Sequence, residues 1–139
     1  MGAEQNFRPP ADRVVDVFDR CTQLLPVIRA AGNKCGYAIG SHGSFARDLD
    51  LIACPWTDAA TDAETLVEAV RAAIETVPGW APVYYRSPSE WGQKPHGRVA
   101  VSIYSGGDAV VVTTSGAFPW IDLSIMPLDA SSKQPNPRS

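Results

Sequence analysis

The run 37–56, YAIGSHGSFARDLDLIACPW, constrains the chain more than any other stretch. An apolar segment enters two Gly-Ser pairs, Gly40-Ser41 and Gly43-Ser44. A short connection carrying Arg47 follows, and a second apolar segment opens through Asp48-Leu49-Asp50. The two apolar segments, 37–40 and 49–54, read as short strands. Alternation along the second places Asp48 and Asp50 on one face and Leu49 and Leu51 on the other. Two carboxylates that close repel by about 4 kcal/mol at 4 Å and an effective dielectric near 20. A cation between them relieves that repulsion, and donors that are all oxygen suit Mg²⁺ or Mn²⁺. Small residues at the turn let backbone N–H groups approach phosphates.

The rest of the chain supplies a frame for that run. Val14, Val17, Phe18, Cys21, Leu24, Leu25 and Ile28 recur at helical spacing over 12–31, and Pro26 within them predicts a kink or break near Leu25. Gly32-Asn33 is the expected end of that helix. A second helix is signalled by Thr61 with Glu64 three residues on, a capping box, and by a stripe of Leu66, Val70, Ala73, Ile74 and Val77. Pro78-Gly79 stops it. Further strands are expected at 98–104, at 109–113 after a Gly106-Gly107-Asp108 turn, and at 120–126. The stretch 78–98 reads as a long loop rich in Trp, Tyr and basic residues. The expected fold is mixed α and β (α+β): one mixed sheet of about five strands packed by two main helices. Residues 1–10 and 129–139 read as a flexible lead-in and tail around a single domain, 11–128.

Composition narrows the functions. Twelve Lys and Arg against 15 Asp and Glu give a net charge of −3. No basic stripe is visible, which argues against strong binding of duplex DNA through its phosphates as the main activity, while a nucleotide carried with a metal is compatible. Three cysteines, Cys21, Cys35 and Cys54, form no CxxC pair, and His42 and His96 lie far apart, which argues against disulfides and structural zinc. No run approaches 18 apolar residues, so no membrane segment is expected, and a cytoplasmic setting is the default.

A third carboxylate, Asp122, lies 72 residues beyond Asp50, in PWIDLSIMP. It too points away from the apolar face of its strand. If strand 120–126 lies beside strand 49–54, Asp48, Asp50 and Asp122 converge on one part of the sheet, as two-metal phosphoryl chemistry requires.

The run GSFARDLDLIA, with the later IDL, resembles the signature of the polymerase-beta-like nucleotidyltransferase superfamily. It is also similar to small nucleotidyltransferase-like proteins of bacteria and their phages. The resemblance covers roughly 35–56 and 120–127. It implies an enzyme that moves a nucleoside monophosphate from an NTP to an acceptor hydroxyl, releasing pyrophosphate. By the same resemblance Gly43 and Ser44, with Ser41 and Arg47, would hold the nucleotide phosphates. Asp48 and Asp50 would ligate Mg²⁺ (or Mn²⁺), and Asp122 would be the third ligand, on the acceptor side. The spacing departs from the family's, since only three residues separate Ser44 from Asp48. That shortening keeps a second reading open, a catalytically weak module that binds nucleotide or a partner protein. A two-metal phosphodiesterase or nuclease is the third.

Blander readings accompany each residue. The Asp pair can be a solvated strand entrance, Ser41 and Ser44 turn residues, and Arg47 a partner for a nearby Asp. His42 reads as a packed turn histidine, Cys35 and Cys54 as small buried residues, and Trp80 and Trp91 as core cover. Arg86, Lys94, His96 and Arg98 read as a solvated loop, with closure over a triphosphate the sharper alternative. The acceptor is left unnamed: a small molecule, a protein side chain or an RNA end. A homodimer could use the aromatic loop as readily as a substrate.

Overall fold

The computed structural model describes residues 11–43, 48–107, 111–113, 116–118 and 120–128, without the side chains of 11–21 and 111–120. The expected lead-in and tail lie outside the described residues, as do Ser44, Arg47 and the turn residue Asp108. Among the described residues, two helices, α1 (Ala11–Lys34) and α2 (Ala63–Glu75), accompany eight strands. The strands are β1 (Tyr37–His42), β2 (Leu49–Pro55), β3 (Val83–Tyr85), β4 (Gly92–Gln93), β5 (Val99–Ser105), β6 (Val111–Thr113), β7 (Gly116–Phe118) and β8 (Trp120–Ile125). Six of them form one sheet in the order β1-β2-β8-β5-β3, with β4 also on β5. The β2–β8 pair is parallel and its neighbours are antiparallel, so the sheet is mixed. The expected α+β class is the one observed.

Helix α1 does not break at Pro26. A proline inside a helix forfeits one backbone bond and costs about 3 kcal/mol. Here Pro26 is itself exposed, while Leu24 and Ile28 on either side are fully buried, and their packing offsets the cost. Nor does the helix end at Gly32. A Cβ on Gly32 would sit 2.5 Å from Ile39 Cδ1, so this glycine is where α1 closes onto β1. The turn out of the helix is made at Gly36, whose φ of 87° suits glycine alone among common residues. The cap of α2 is Asp62 rather than Thr61: its carboxylate accepts from the Thr65 N–H at 2.8 Å.

Residues 78–98 are more ordered in pattern than a plain loop. They hold β3, β4 and two single-turn 3₁₀ segments, Pro88–Glu90 and Pro95–Gly97. Each piece is only two or three residues long, too short for periodicity to reveal. Trp80 and Trp91 are buried, as expected of core cover. The segment expected as a strand at 109–113 does not extend the main sheet. Its described part, β6, pairs with β7 as a separate ribbon.

One core joins the helices to a single face of the sheet. Leu24 and Ile28 of α1, with Leu66, Val67, Val70 and Ile74 of α2, pack on Ile39, Leu49, Leu51, Ala53, Val101, Ile103, Ile121 and Leu123. Burying a side chain of this size contributes roughly 1.5–3 kcal/mol. The alternate residues of the same strands therefore face away from the helices.

Candidate functional site

The parallel register of β2 and β8 sets Asp50 directly against Asp122, and Leu51 against Leu123 one step on. The apolar face constrains that register: a one-residue slip of β2 would turn Leu49 and Leu51 to water, and one of β8 would turn Ile121 and Leu123. Burying the leucines thus puts both carboxylates on the uncovered face, and the observed register sets them side by side. Asp48, just before β2, completes the group. One carboxylate oxygen from each of Asp48, Asp50 and Asp122 lies within 4.8 Å of the others. The convergence expected if the two strands were neighbours is present.

The electrostatics follow from that crowding. The Asp50 carboxyl is held above the ordinary carboxylate range, first by partial burial and then by the charge of Asp122, with Asp122 also within hydrogen-bonding reach. His42 acts in the opposite direction and lowers it. His42 lies directly across from Asp50 in the β1–β2 register and is exposed, so it is not the packed turn residue expected. Ser102 on β5 lies across from Asp122, and its Oγ donates to Asp122 Oδ1 at 2.8 Å. Three oxygen donors in this span, with no thiolate among them, are a hard set that suits Mg²⁺ or Mn²⁺.

Gly43 is adjacent. Gly43 is exposed with φ 93°, and a Cβ there would lie 2.9 Å from Asp50 Oδ2. Both the backbone conformation and the space thus call for glycine beside the carboxylates. Ser41 is placed differently: it pairs with Leu51 on the helix-covered side of the sheet and is half-buried. Of the basic residues in 78–98, Arg98 reaches the uncovered face, its Nη1 donating to Ser124 Oγ at 3.1 Å. Arg86 is 70% exposed and pairs with Glu90 at 3.5 Å. Cys35 is buried as expected, but Cys54 is exposed because it alternates with Ala53 onto the uncovered face. Cys21 lies among the side chains outside the description.

Sequence reasoning missed three features of this face. Tyr84 and Tyr104 stack with ring centroids 5.6 Å apart. Ser102 and Tyr104 line a pocket of about 260 Å³ together with Arg86, Glu90 and Trp91. The bond from Ser102 to Asp122 is the third. The alternation of 98–104 already set Ser102 apart from Val101 and Ile103, yet nothing in the sequence gave the β5–β8 register.

No protein-family model matches the sequence, and no curated protein sequence matches it. Among solved structures, the chain is similar to the Cid1 poly(U) polymerase with MgGTP bound, with a TM-score of 0.47 and 10% identity. The match covers 85% of this chain and 33% of that one, so this chain spans about a third of the polymerase's length. A likeness that distant carries no functional argument. Among the described residues, no helix is long and apolar enough to cross a membrane.

Proposed function

We propose that the domain is a divalent-cation-dependent nucleotidyltransferase, which moves a nucleoside monophosphate from an NTP to an acceptor hydroxyl. The observation that carries this reading is the convergence of Asp48, Asp50 and Asp122 within 4.8 Å beside the Gly43 turn. Asp48 and Asp50 would hold Mg²⁺ or Mn²⁺, with Asp122 the ligand on the acceptor side. When bound, the cation supplies charge neutralisation at the phosphoryl group and at the attacking and leaving oxygens.

The chain's own residues do the positioning. Gly43 keeps side-chain atoms out of the space beside Asp50, so that backbone N–H groups of the turn can meet the phosphates. Ser44 and Arg47 would complete that cradle. Asp122 orients the acceptor hydroxyl, whose oxygen bonds to the α-phosphorus while the bond to the β-phosphate breaks and pyrophosphate departs. The hydroxyl proton passes to a carboxylate or to solvent. The raised pKa of Asp50 fits a group that stays crowded by its neighbours until a cation is bound.

The test is transfer of label from an α-³²P NTP together with pyrophosphate release, in Mg²⁺ or Mn²⁺. Wild type should release pyrophosphate, and Asp50→Asn should not. NTP binding with no pyrophosphate release under any condition would favour the binding module, to which the three-residue gap between Ser44 and Asp48 already points. Oligonucleotide cleavage without NTP would favour a nuclease.

A further inference from the structure

Asp122 is the carboxylate of the three that arrives from the distant end of the chain; besides its contact with Asp50, it is held on the β5 side. Ser102 is its cross-strand partner, and Ser102 Oγ donates to Asp122 Oδ1 at 2.8 Å. A carboxylate's terminal torsion is soft, so the Asp122 group, one of three carboxylates within 4.8 Å, can turn unless it is held. The hydrogen bond from Ser102 opposes that turn. Ser102 is half-buried and adjoins the pocket formed with Trp91 and Tyr104, so it holds Asp122 from the side opposite β2.

We propose that Ser102 is a positioning residue for the cation site: its hydroxyl engages one oxygen of Asp122 and leaves the other turned toward Asp48 and Asp50. This rests on the reading of those carboxylates as cation ligands. A serine that served only the sheet surface would be replaceable by any residue of strand propensity, whereas a positioning serine needs its hydroxyl.

Ser102→Thr and Ser102→Val separate the two roles, because the side chains share a shape, both suit a strand, and only Thr keeps the hydroxyl. The readout is Mn²⁺ affinity by EPR titration of the full chain without nucleotide, with melting temperature as the check on folding. Outer partners of metal ligands commonly set affinity by about 10- to 100-fold. Ser102→Val should lose affinity in that range, while Ser102→Thr should bind as wild type does. Equal affinities for the two variants, with wild type binding normally, would overturn the positioning role and leave the carboxylate site standing. A wild type that takes up no more Mn²⁺ than Asp50→Asn would overturn the site itself and this role with it. If Ser102→Val does not melt cooperatively, Ser102→Ala takes its place, and wild-type affinity in Ser102→Ala overturns the proposal.

Discussion

The helix-covered and uncovered faces of the sheet are built from the same strands, one residue out of phase. Beneath α1 and α2, Leu49, Leu51, Ile121 and Leu123 are fully buried. On the other side, the same two strands present Asp50, Ile52, Asp122 and Ser124, all open to solvent to some degree. The first face gains from being apolar and close-packed. The second tolerates three carboxylates within 4.8 Å, an arrangement that stability alone would not select. The packing of the fold and the carboxylate cluster are thus divided by parity along β2 and β8.

The largest expected effect is on the packed face. Leu51→Ala or Leu123→Ala should cost about 2–5 kcal/mol, lowering the melting temperature by on the order of 10 °C. Circular dichroism melts measure it. A loss of less than about 1 kcal/mol would break the claim that this face holds the fold.

On the uncovered face the sign should reverse. The raised Asp50 pKa means the folded state favours the protonated carboxyl. That contribution is full below the unfolded pKa of about 3.9 and is lost as pH rises through the folded value. Without divalent cation, Asp50→Asn should therefore melt above wild type at pH 7, and the gap should close as pH falls through the carboxylate range. A variant that melts lower at pH 7 would show that the Asp50 carboxylate stabilises the fold.

Gly43→Ala tests the turn. The left-handed backbone at φ 93° should cost about 1–2 kcal/mol, and the added Cβ crowds Asp50, so cation affinity should fall as well. Unchanged Mn²⁺ affinity by EPR would remove the turn from the site. The smallest effect is expected at the cap of α2, away from the carboxylates. Asp62→Ala removes the α2 cap and should cost about 1 kcal/mol by melting, with no change in cation affinity. A change there would blur the separation.

Much of the site was legible because it is written in strand alternation. Asp48, Asp50 and Asp122 each stood out as a polar residue against an apolar face, while the pairing of their strands entered only as a condition that the structure meets. The helix ends were less legible. Gly32 reads as a stop in sequence, yet it serves as a contact with Ile39, and only tertiary packing distinguishes the two. Pro26 was overridden for the same reason. β3 and β4 were hidden because two or three residues carry no period. Ser102 could be placed on a face but not on a partner, since register between strands 20 residues apart in sequence is set by the whole sheet.

The most direct measurement is thermal melting of the wild-type chain with each of the four NTPs, with and without Mg²⁺ or Mn²⁺, beside the Asp48→Asn/Asp50→Asn double variant. Ligand at a hundred times its Kd adds about 2.7 kcal/mol, a shift of several degrees at this chain length. A shift that needs both NTP and cation and is confined to wild type is the predicted result. No shift with any NTP, or an equal shift in the double variant, would contradict a nucleotide site built on these carboxylates.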